Sequence, residues 1–374
     1  MSLIFPKKPL YAPMLGTFGG GSGRGWGRGG RPWGYDFPVG HYVRLTSYNT
    51  NNTAGAIANW RSGWASNSAN TNYANNTWLD NDDYMFEDPT YKGLVWGVPE
   101  DGTYQFQLAG GAGGNARDSQ NGYEADGGAG AIATANFTLS KKQYLRIIVG
   151  KAGDDHETPY YVGSGGGGAS AIMTYSEDVT QRSPLLVAGG GGGAAITYYN
   201  PTSFNGFPAG TNNAGAPLFG HNKTGSVGFN ANGNVTTGYG GFEDTQESQR
   251  LDAGAGFYGD GQDNSGDGAV AKALRDTAYG RGSGGYGGGG SGASRGGGAG
   301  GGYSGGSSIS KGGSASDCGV GSAGSSYFSN SVVSGSLIGI TSGGSGNFNS
   351  WSGSVANNYG SSTQSGWCTI IRLS

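Results

Sequence analysis

Residues 282–306 read GSGGYGGGGSGASRGGGAGGGYSGG, and this stretch limits what the chain can fold into more than any other. Glycine has no side chain to bury and loses more backbone entropy on folding than any other residue. Such a segment either stays open or is held by its own peptide groups. Collagen is excluded by the frame: Gly284, Gly287 and Gly290 lead to Ala293, Gly282, Gly285 and Gly288 lead to Ser291, and the third frame meets Ser283 at once. A phosphate loop is excluded too, since no G-K-[ST] occurs in the chain. A Gly/Ser linker does not fit, because Phe204, Phe207, Phe219, Phe229, Tyr239, Phe242, Phe257, Tyr258, Tyr279, Tyr286 and Tyr303 recur through the region before the last strand. What is left is a bundle of extended, three-residue-per-turn segments. Polyproline-II geometry makes no internal hydrogen bonds, so its N–H and C=O groups pair between neighbours, and glycine lets the backbones come close enough. In this reading Tyr286 and Tyr303 stand at the faces or ends of the rods.

The rest of the composition agrees with a folded protein. Beside 82 glycines stand 22 Tyr, 14 Phe and 8 Trp, and the net charge is only -3; disordered chains are poor in aromatics and strongly charged. The sequence has no run of about 18 apolar residues, so no membrane span is expected. After Met1 the chain reaches Pro6, Lys7, Lys8 and Pro9 without an apolar signal region, so no secretory signal is expected. Two cysteines, Cys318 and Cys368, are too few for a disulfide framework or a four-ligand zinc site, and read as two thiols or one late disulfide.

Three regions follow along the chain. Residues 1–35 carry Lys7, Lys8, Arg24, Arg28 and Arg31 and no acid, with Tyr11, Trp26 and Trp33 among Gly and Pro. This basic arm cannot bury a core of its own and becomes ordered against a partner. The remaining chain has 25 acids against 17 bases, so no wider basic surface supports nucleic acid and the arm reads as protein-docking. Residues 36–91 form an Asn/Trp-rich β and loop segment, with one alternating strand in HYVRLTSY (41–48) and loops pinned by Trp60, Trp64 and Trp78. Residues 92–374 hold the clearest strands: GTYQFQLA, with Tyr104, Phe106 and Leu108 on one face, then 131–139, 143–150, 169–175, 184–190 and the closing GWCTIIRLS, where Cys368 and Ile370 face one way. A glycine-rich insert spans about 189–325. No ten-residue stretch has helical periodicity, so the fold class is all-β, with a glycine-rich rod bundle and an extended N-terminal arm.

The order GTYQFQLAGGAGG, NFTLSKKQYLRIIVG, PLLVAGGGGGAA, the long glycine insert and a final TIIRLS resembles the glycine-rich domain of the anaplastic lymphoma kinase and leukocyte tyrosine kinase ectodomains. That family joins a TNF-like β-sandwich to a bundle of glycine-rich polyproline-II helices. The likeness covers 92–374 and implies fold, not receptor signalling. Bacteriophage tail-fibre tip adhesins use similar glycine-rich bundles to display variable aromatic and polar loops. The opening PKKPLYAPMLGTFGGGSGRGWGRG is similar to the starts of tailed-phage structural proteins, where a short Gly/Arg arm docks on the virion. These resemblances imply virion docking through Lys7, Lys8, Tyr11, Arg24, Trp26, Arg28, Arg31 and Trp33, and a virion (tail) protein assembled in the host cytoplasm.

No catalytic motif stands out. His41, His156 and His221 are far apart, and no nucleophile elbow, HExxH or paired-carboxylate motif accompanies them. GKAGDDHETP (150–159) reads as a solvated polar turn, since adjacent side chains in a tight turn rarely converge on one ion. GDGQDNSGDG puts Asp263, Ser265 and Asp267 at the first, third and fifth places of an EF-hand-like loop, but the twelfth is Leu274, so calcium is only a weak candidate and no metal or cofactor is expected. Tyr198, Tyr199, Phe204, Phe207, Phe219 and His221 suit receptor contacts, and equally suit capping the glycine bundle. The expectation is a non-enzymatic tail-fibre or tail-tip protein. Its partners would be other virion proteins and a bacterial surface glycan or outer-membrane protein, and it would form a homo-oligomer, possibly a trimer. The alternatives are a purely structural decoration or connector protein, and a polysaccharide-degrading tailspike.

Overall fold

Alternation builds the frame. In GTYQFQLA the side chains of Tyr104, Phe106 and Leu108 fall on one face, and all three are buried in a computed structural model of the chain. The structure describes residues 37–46, 82, 84–88, 90–91, 93–158, 162–196, 203–210, 237–241, 252–262, 270–292, 296–307, 319, 321–342 and 365–374. The arm, Trp60, Trp64, Trp78, Tyr198, Tyr199, Phe219, His221, Asp263, Ser265, Asp267 and Cys318 lie outside the described residues. Among the described residues there is no α-helix, and no helix long and apolar enough to cross a membrane.

In chain order the strands are β1 (Tyr42–Thr46), β2 (Met85–Glu87), β3 (Leu94–Gly97), β4 (Gly102–Ala109), β5 (Ala116–Asp118), β6 (Glu124–Ala125), β7 (Ala131–Leu139), β8 (Tyr144–Ile148), β9 (His156–Thr158), β10 (Val162–Gly163), β11 (Ser170–Thr174), β12 (Pro184–Ala188), β13 (Ala195–Ile196), β14 (Ser203–Phe204), β15 (Tyr327–Phe328), β16 (Gly335–Ser342) and β17 (Trp367–Arg372). Two antiparallel sheets form the frame, one ordered β1-β17-β4-β7-β16 and the other β15-β12-β11-β8-β3-β2. Their facing sides share one core: Val43, Leu45, Tyr104, Phe106, Phe137, Cys368 and Ile370 from the first, and Met85, Trp96, Leu145, Ile147, Ile172 and Leu186 from the second. Trp96 bridges them edge-on, its ring 5.5 Å from Tyr104 and 6.0 Å from Phe106. Cys368 is a free thiol inside this core, and burial pushes its pKa well up.

The second sheet is buried on its other face as well, which accounts for unbroken apolar runs such as PLLVA. Ile147, Ile172 and Leu186 point into the shared core, whereas Ile148, Ala171, Met173 and Val187 pack on Phe257, Leu274, Ala278, Tyr286 and Tyr303 of the glycine-rich part. Tyr303 stacks on Tyr327 with ring centroids 3.8 Å apart and planes 6° from parallel. Tyr286 and Tyr303 therefore seat the glycine-rich part on the frame.

Two buried arginines fasten the same contact. Arg182 Nη2 lies 2.6 Å from Asp88 Oδ2 and Arg146 Nε 3.6 Å from it, with all three side chains at most 2% exposed. Arg146 also donates to the carbonyls of Tyr91, Leu274 and Asp276, and Arg182 to those of Ser176 and Arg275. Burial pulls the Arg146 pKa down to about 10, which leaves it charged at neutral pH. In the sequence, the one signal for this role is an Arg inside the apolar run QYLRIIVG.

Strands of the frame run on into glycine rods. β4 continues as 110–115, β8 as 149–155 and β12 as 189–194, while 126–130 leads into β7 and 164–169 into β11. The lattice thus draws on segments ahead of 189 as well as on the long insert. Its hydrogen bonds repeat every third residue. Gly190 and Gly193 donate to Gly301 and Gly298, Gly191 and Ala194 to Gly111 and Gly114, and Gly192 to Phe207. Likewise Gly111 and Gly114 donate to Gly168 and Gly165, and Gly298 and Gly301 to Ser164 and Gly167. The rod 189–194 is therefore surrounded, its peptide groups satisfied by a different neighbour at each step. A Cβ built on Gly192 would fall closer than 3.0 Å to the Gly321 carbonyl, and one on Gly300 equally close to that of Gly190, so the approach itself requires glycine. Where there is room for a small side chain, buried serines add bonds: Ser322 Oγ donates to Ser307 O at 2.8 Å, and Ser304 Oγ accepts from Gly238 N at 2.8 Å.

The molecule has two ends. β17 runs against β4, pairing Arg372 with Tyr104, and β1 runs against β17, pairing Tyr42 with Ile371. The chain thus enters the frame, and ends, where β4 begins. Arg372 ties this base together through the Phe37 carbonyl and the Glu100 carboxylate, and its own carbonyl accepts from Gly40 N at 2.8 Å. The rods leave the opposite end and reach two small sheets, β6-β5-β9 and β10-β13-β14, which form a tip.

Candidate functional site

The tip is made by chain segments that the rods deliver. Rod 110–115 opens into β5, rod 149–155 into β9, and β6 returns into rod 126–130. β5 and β9 pair in parallel, with Ala116 opposite His156 and Arg117 opposite Glu157, a contact between residues forty apart that only the rods bring together. Behind them Ala116, Ala125, Val162, Ala194 and Ile196 make a small apolar cluster.

Between these strands lies an open cleft of about 380 Å³, lined by Asn115, Arg117, Glu124, Asp126, Asp155, His156 and Glu157 among others. Its walls are held by side chain to backbone bonds. Asn115 Oδ1 accepts from Gly127 N at 2.9 Å, Asn205 Oδ1 from Asp126 N at 3.0 Å, and Asp155 Oδ1 from Asn115 N at 2.7 Å. Burial raises the Asp155 pKa against that bond, and the neighbouring Asp154 charge raises it further. Arg117 and Glu124 face each other across the rim at 3.4 Å, both exposed, so the pair adds little stability and leaves both groups open to a ligand.

Asp118 organises the adjoining hairpin. Its carboxylate accepts from the amides of Gln120 (2.9 Å) and Asn121 (3.2 Å) and from the Asn121 side chain (2.8 Å), and Gly122 completes the turn with a φ of 72°. Burial by itself would raise the Asp118 pKa, but these hydrogen bonds outweigh it and the net shift is downward. The turn exposes Tyr123 (38%), the residue before Glu124 of the cleft lining.

GKAGDDHETP is here partly rod and partly strand, with its Asp155, His156 and Glu157 lining the cleft. Among the described residues no group of three or more His, Cys, Asp or Glu side chains is placed to hold a metal ion. Of the aromatic residues expected to meet a receptor, Phe204 is half-buried against Ala195, and Phe207 is half-buried between Ala195 and the alanines Ala131, Ala209 and Ala323. Both rings pack the lattice, while the Phe207 carbonyl accepts from Gly192 within it. Residues 115–126, NARDSQNGYEAD, were not singled out in the sequence; the turn formers Asp118, Asn121 and Gly122 beside an exposed Tyr were the signal.

No protein-family model matches this chain, and no curated protein matches it.

Proposed function

We propose that the chain is a display protein of a tailed-phage virion, a tail-fibre or tail-tip component that docks through its N-terminal arm and meets the host surface with its tip. The observation that carries this reading is the polarity of the fold. The segment that follows the arm enters at the base, and the cleft and Tyr123 stand at the far end of the rods. Chain entry at one end and a polar cleft at the other is what two-ended attachment requires. The rods are polyproline-II helices and the frame is a TNF-like sandwich in this reading; the three-residue period of the hydrogen bonds supports the first, and the two facing antiparallel sheets the second. The cleft suits a glycan of the bacterial envelope, with carboxylates and an amide side chain for hydrogen bonds, and the exposed Tyr123 ring stands one residue from the lining Glu124.

The test incubates the full chain with bacterial envelope fractions, lipopolysaccharide and outer-membrane protein separately. Saturable binding that Tyr123→Ala and Glu157→Gln together weaken, with no shortening of the glycan, supports the proposal. Shortened glycan makes the protein a tailspike enzyme, and absence of binding leaves the structural connector role.

A further inference from the structure

Three asparagines in the chain are followed by glycine, at 121–122, 205–206 and 232–233, and the last pair lies outside the described residues. An asparagine in this setting is chemically labile. Glycine has no side chain to keep its amide nitrogen away from the preceding carboxamide, so the nitrogen reaches Cγ and closes a five-membered imide. The two described pairs share this chemistry, and both asparagines are exposed. The fold holds them differently.

Asn205 belongs to the lattice. Its Oδ1 accepts from Asp126 N at 3.0 Å, and the Gly206 amide that would have to attack donates to Asp126 O at 2.8 Å. A Cβ on Gly206 would strike the Gly192 carbonyl and the Gly128 amide, so this peptide turns only if the rods part. Asn121 belongs to the hairpin between β5 and β6. Its Nδ2 and N donate to the Asp118 carboxylate at 2.8 and 3.2 Å, and the Gly122 amide donates to Asp118 O at 2.9 Å. These three bonds all end on Asp118, residues 119–124 are exposed, and a Cβ on Gly122 meets nothing within 4 Å. The turn can open by itself, with rods and frame undisturbed.

We propose that Asn121 is a self-modification site, converting spontaneously to aspartate and isoaspartate at a rate set by the Asp118 turn, while the lattice keeps Asn205 intact. In the first step the Gly122 nitrogen bonds to Asn121 Cγ, the Cγ–Nδ2 bond breaks, and ammonia leaves with the proton that Gly122 gives up. Water then adds to one of the two imide carbonyls, breaking its bond to nitrogen and leaving a carboxylate. Opening at Cγ gives aspartate; opening at the main-chain carbonyl gives isoaspartate, whose backbone is longer by one methylene. Either product removes the Nδ2 donor that Asp118 holds and sets a second negative charge beside the Asp118 carboxylate. The hairpin loosens as a result, next to Tyr123 and the cleft residue Glu124. The inference uses neither the arm nor a ligand of the cleft, so it stands or falls apart from the proposed display function.

The experiment incubates the full chain in mildly alkaline buffer and follows the Asn121 and Asn205 peptides by mass spectrometry, with isoaspartate identified by enzymatic methylation. In the folded chain Asn121 should convert on the order of tenfold faster than Asn205. In guanidinium the two should convert at similar rates, since only the fold separates them. Asp118→Ala should speed conversion at Asn121 about fivefold and leave Asn205 unchanged. An Asn121 that stays intact in the folded chain, a gap between the two sites that persists in guanidinium, or a rate that Asp118→Ala leaves unchanged overturns the proposal.

Discussion

The frame and the glycine lattice are both dry, and they achieve it by opposite means. In the frame the backbone is satisfied along the strands and the space between sheets is filled by side chains such as Trp96, Phe106 and Phe137. In the lattice the side chains are gone and the space between rods is filled by peptide groups of other rods. A frame position is therefore sensitive to losing atoms, and a lattice position to gaining them. A missing methyl leaves a void whose lining partly relaxes. An added methyl at a rod contact strikes a carbonyl that is itself fixed by hydrogen bonds on either side, and no rotamer change relieves it.

Gly192→Ala breaks this contrast most directly. Its Cβ would overlap the Gly321 carbonyl, and the expected cost is about 5 kcal/mol or more, read as failure to reach a cooperative melt. Gly339→Ala, in the open, should stay within about 0.5 kcal/mol of wild type in the same denaturant titration. If both glycines tolerate alanine equally, the lattice is not packed by backbone. In the frame, Phe106→Ala should cost about 3–5 kcal/mol, the ordinary range for emptying an aromatic site. At the seam between the regions, Arg182→Ala leaves Asp88 with Arg146 as its remaining cation at 3.6 Å, and should cost about 3 kcal/mol by chemical denaturation.

The seam also sets the alkaline limit. Burial pushes Tyr286 to about 12 and raises Tyr303 further, each from an ordinary value near 10. A tyrosine whose folded pKa lies above its unfolded one gives stability that is complete below the unfolded value and lost as pH rises through the folded one. Melting temperature should therefore hold up to about pH 10 and fall steeply towards pH 12, and Tyr286→Phe should flatten that fall. The smallest effect belongs to the tip. Asp118→Ala removes the hairpin's three acceptor contacts and should cost about 1 kcal/mol, seen as faster hydrogen exchange at Gln120 and Asn121 with the global melt nearly unchanged.

The sequence made some of this legible. Strands with strict alternation were found almost to the residue: 131–139 is β7, and Tyr104, Phe106, Leu108, Cys368 and Ile370 face the core as their spacing predicts. β16 escaped notice, because Gly335, Gly339 and its serines dilute the apolar pattern and a register shift interrupts it. The chemistry of the lattice could be inferred from glycine content and from the failure of the alternatives. Its membership could not, since short glycine runs such as 110–114 and 164–168 look like ordinary loops until their partners are known. The cleft was half legible. GKAGDDHETP was singled out, but its other wall lies forty residues earlier, and no local pattern announces a parallel pairing across that distance.

The lattice has a thermal consequence. Unfolding a side-chain core wets hydrocarbon and raises the heat capacity, whereas wetting peptide groups lowers it. With its rods filled by peptide groups, this chain should unfold with a heat-capacity increment per residue well below the usual ~12–15 cal/mol/K. Scanning calorimetry would then trace a shallow, wide stability curve, and the protein would lose little of its folding free energy on cooling towards freezing.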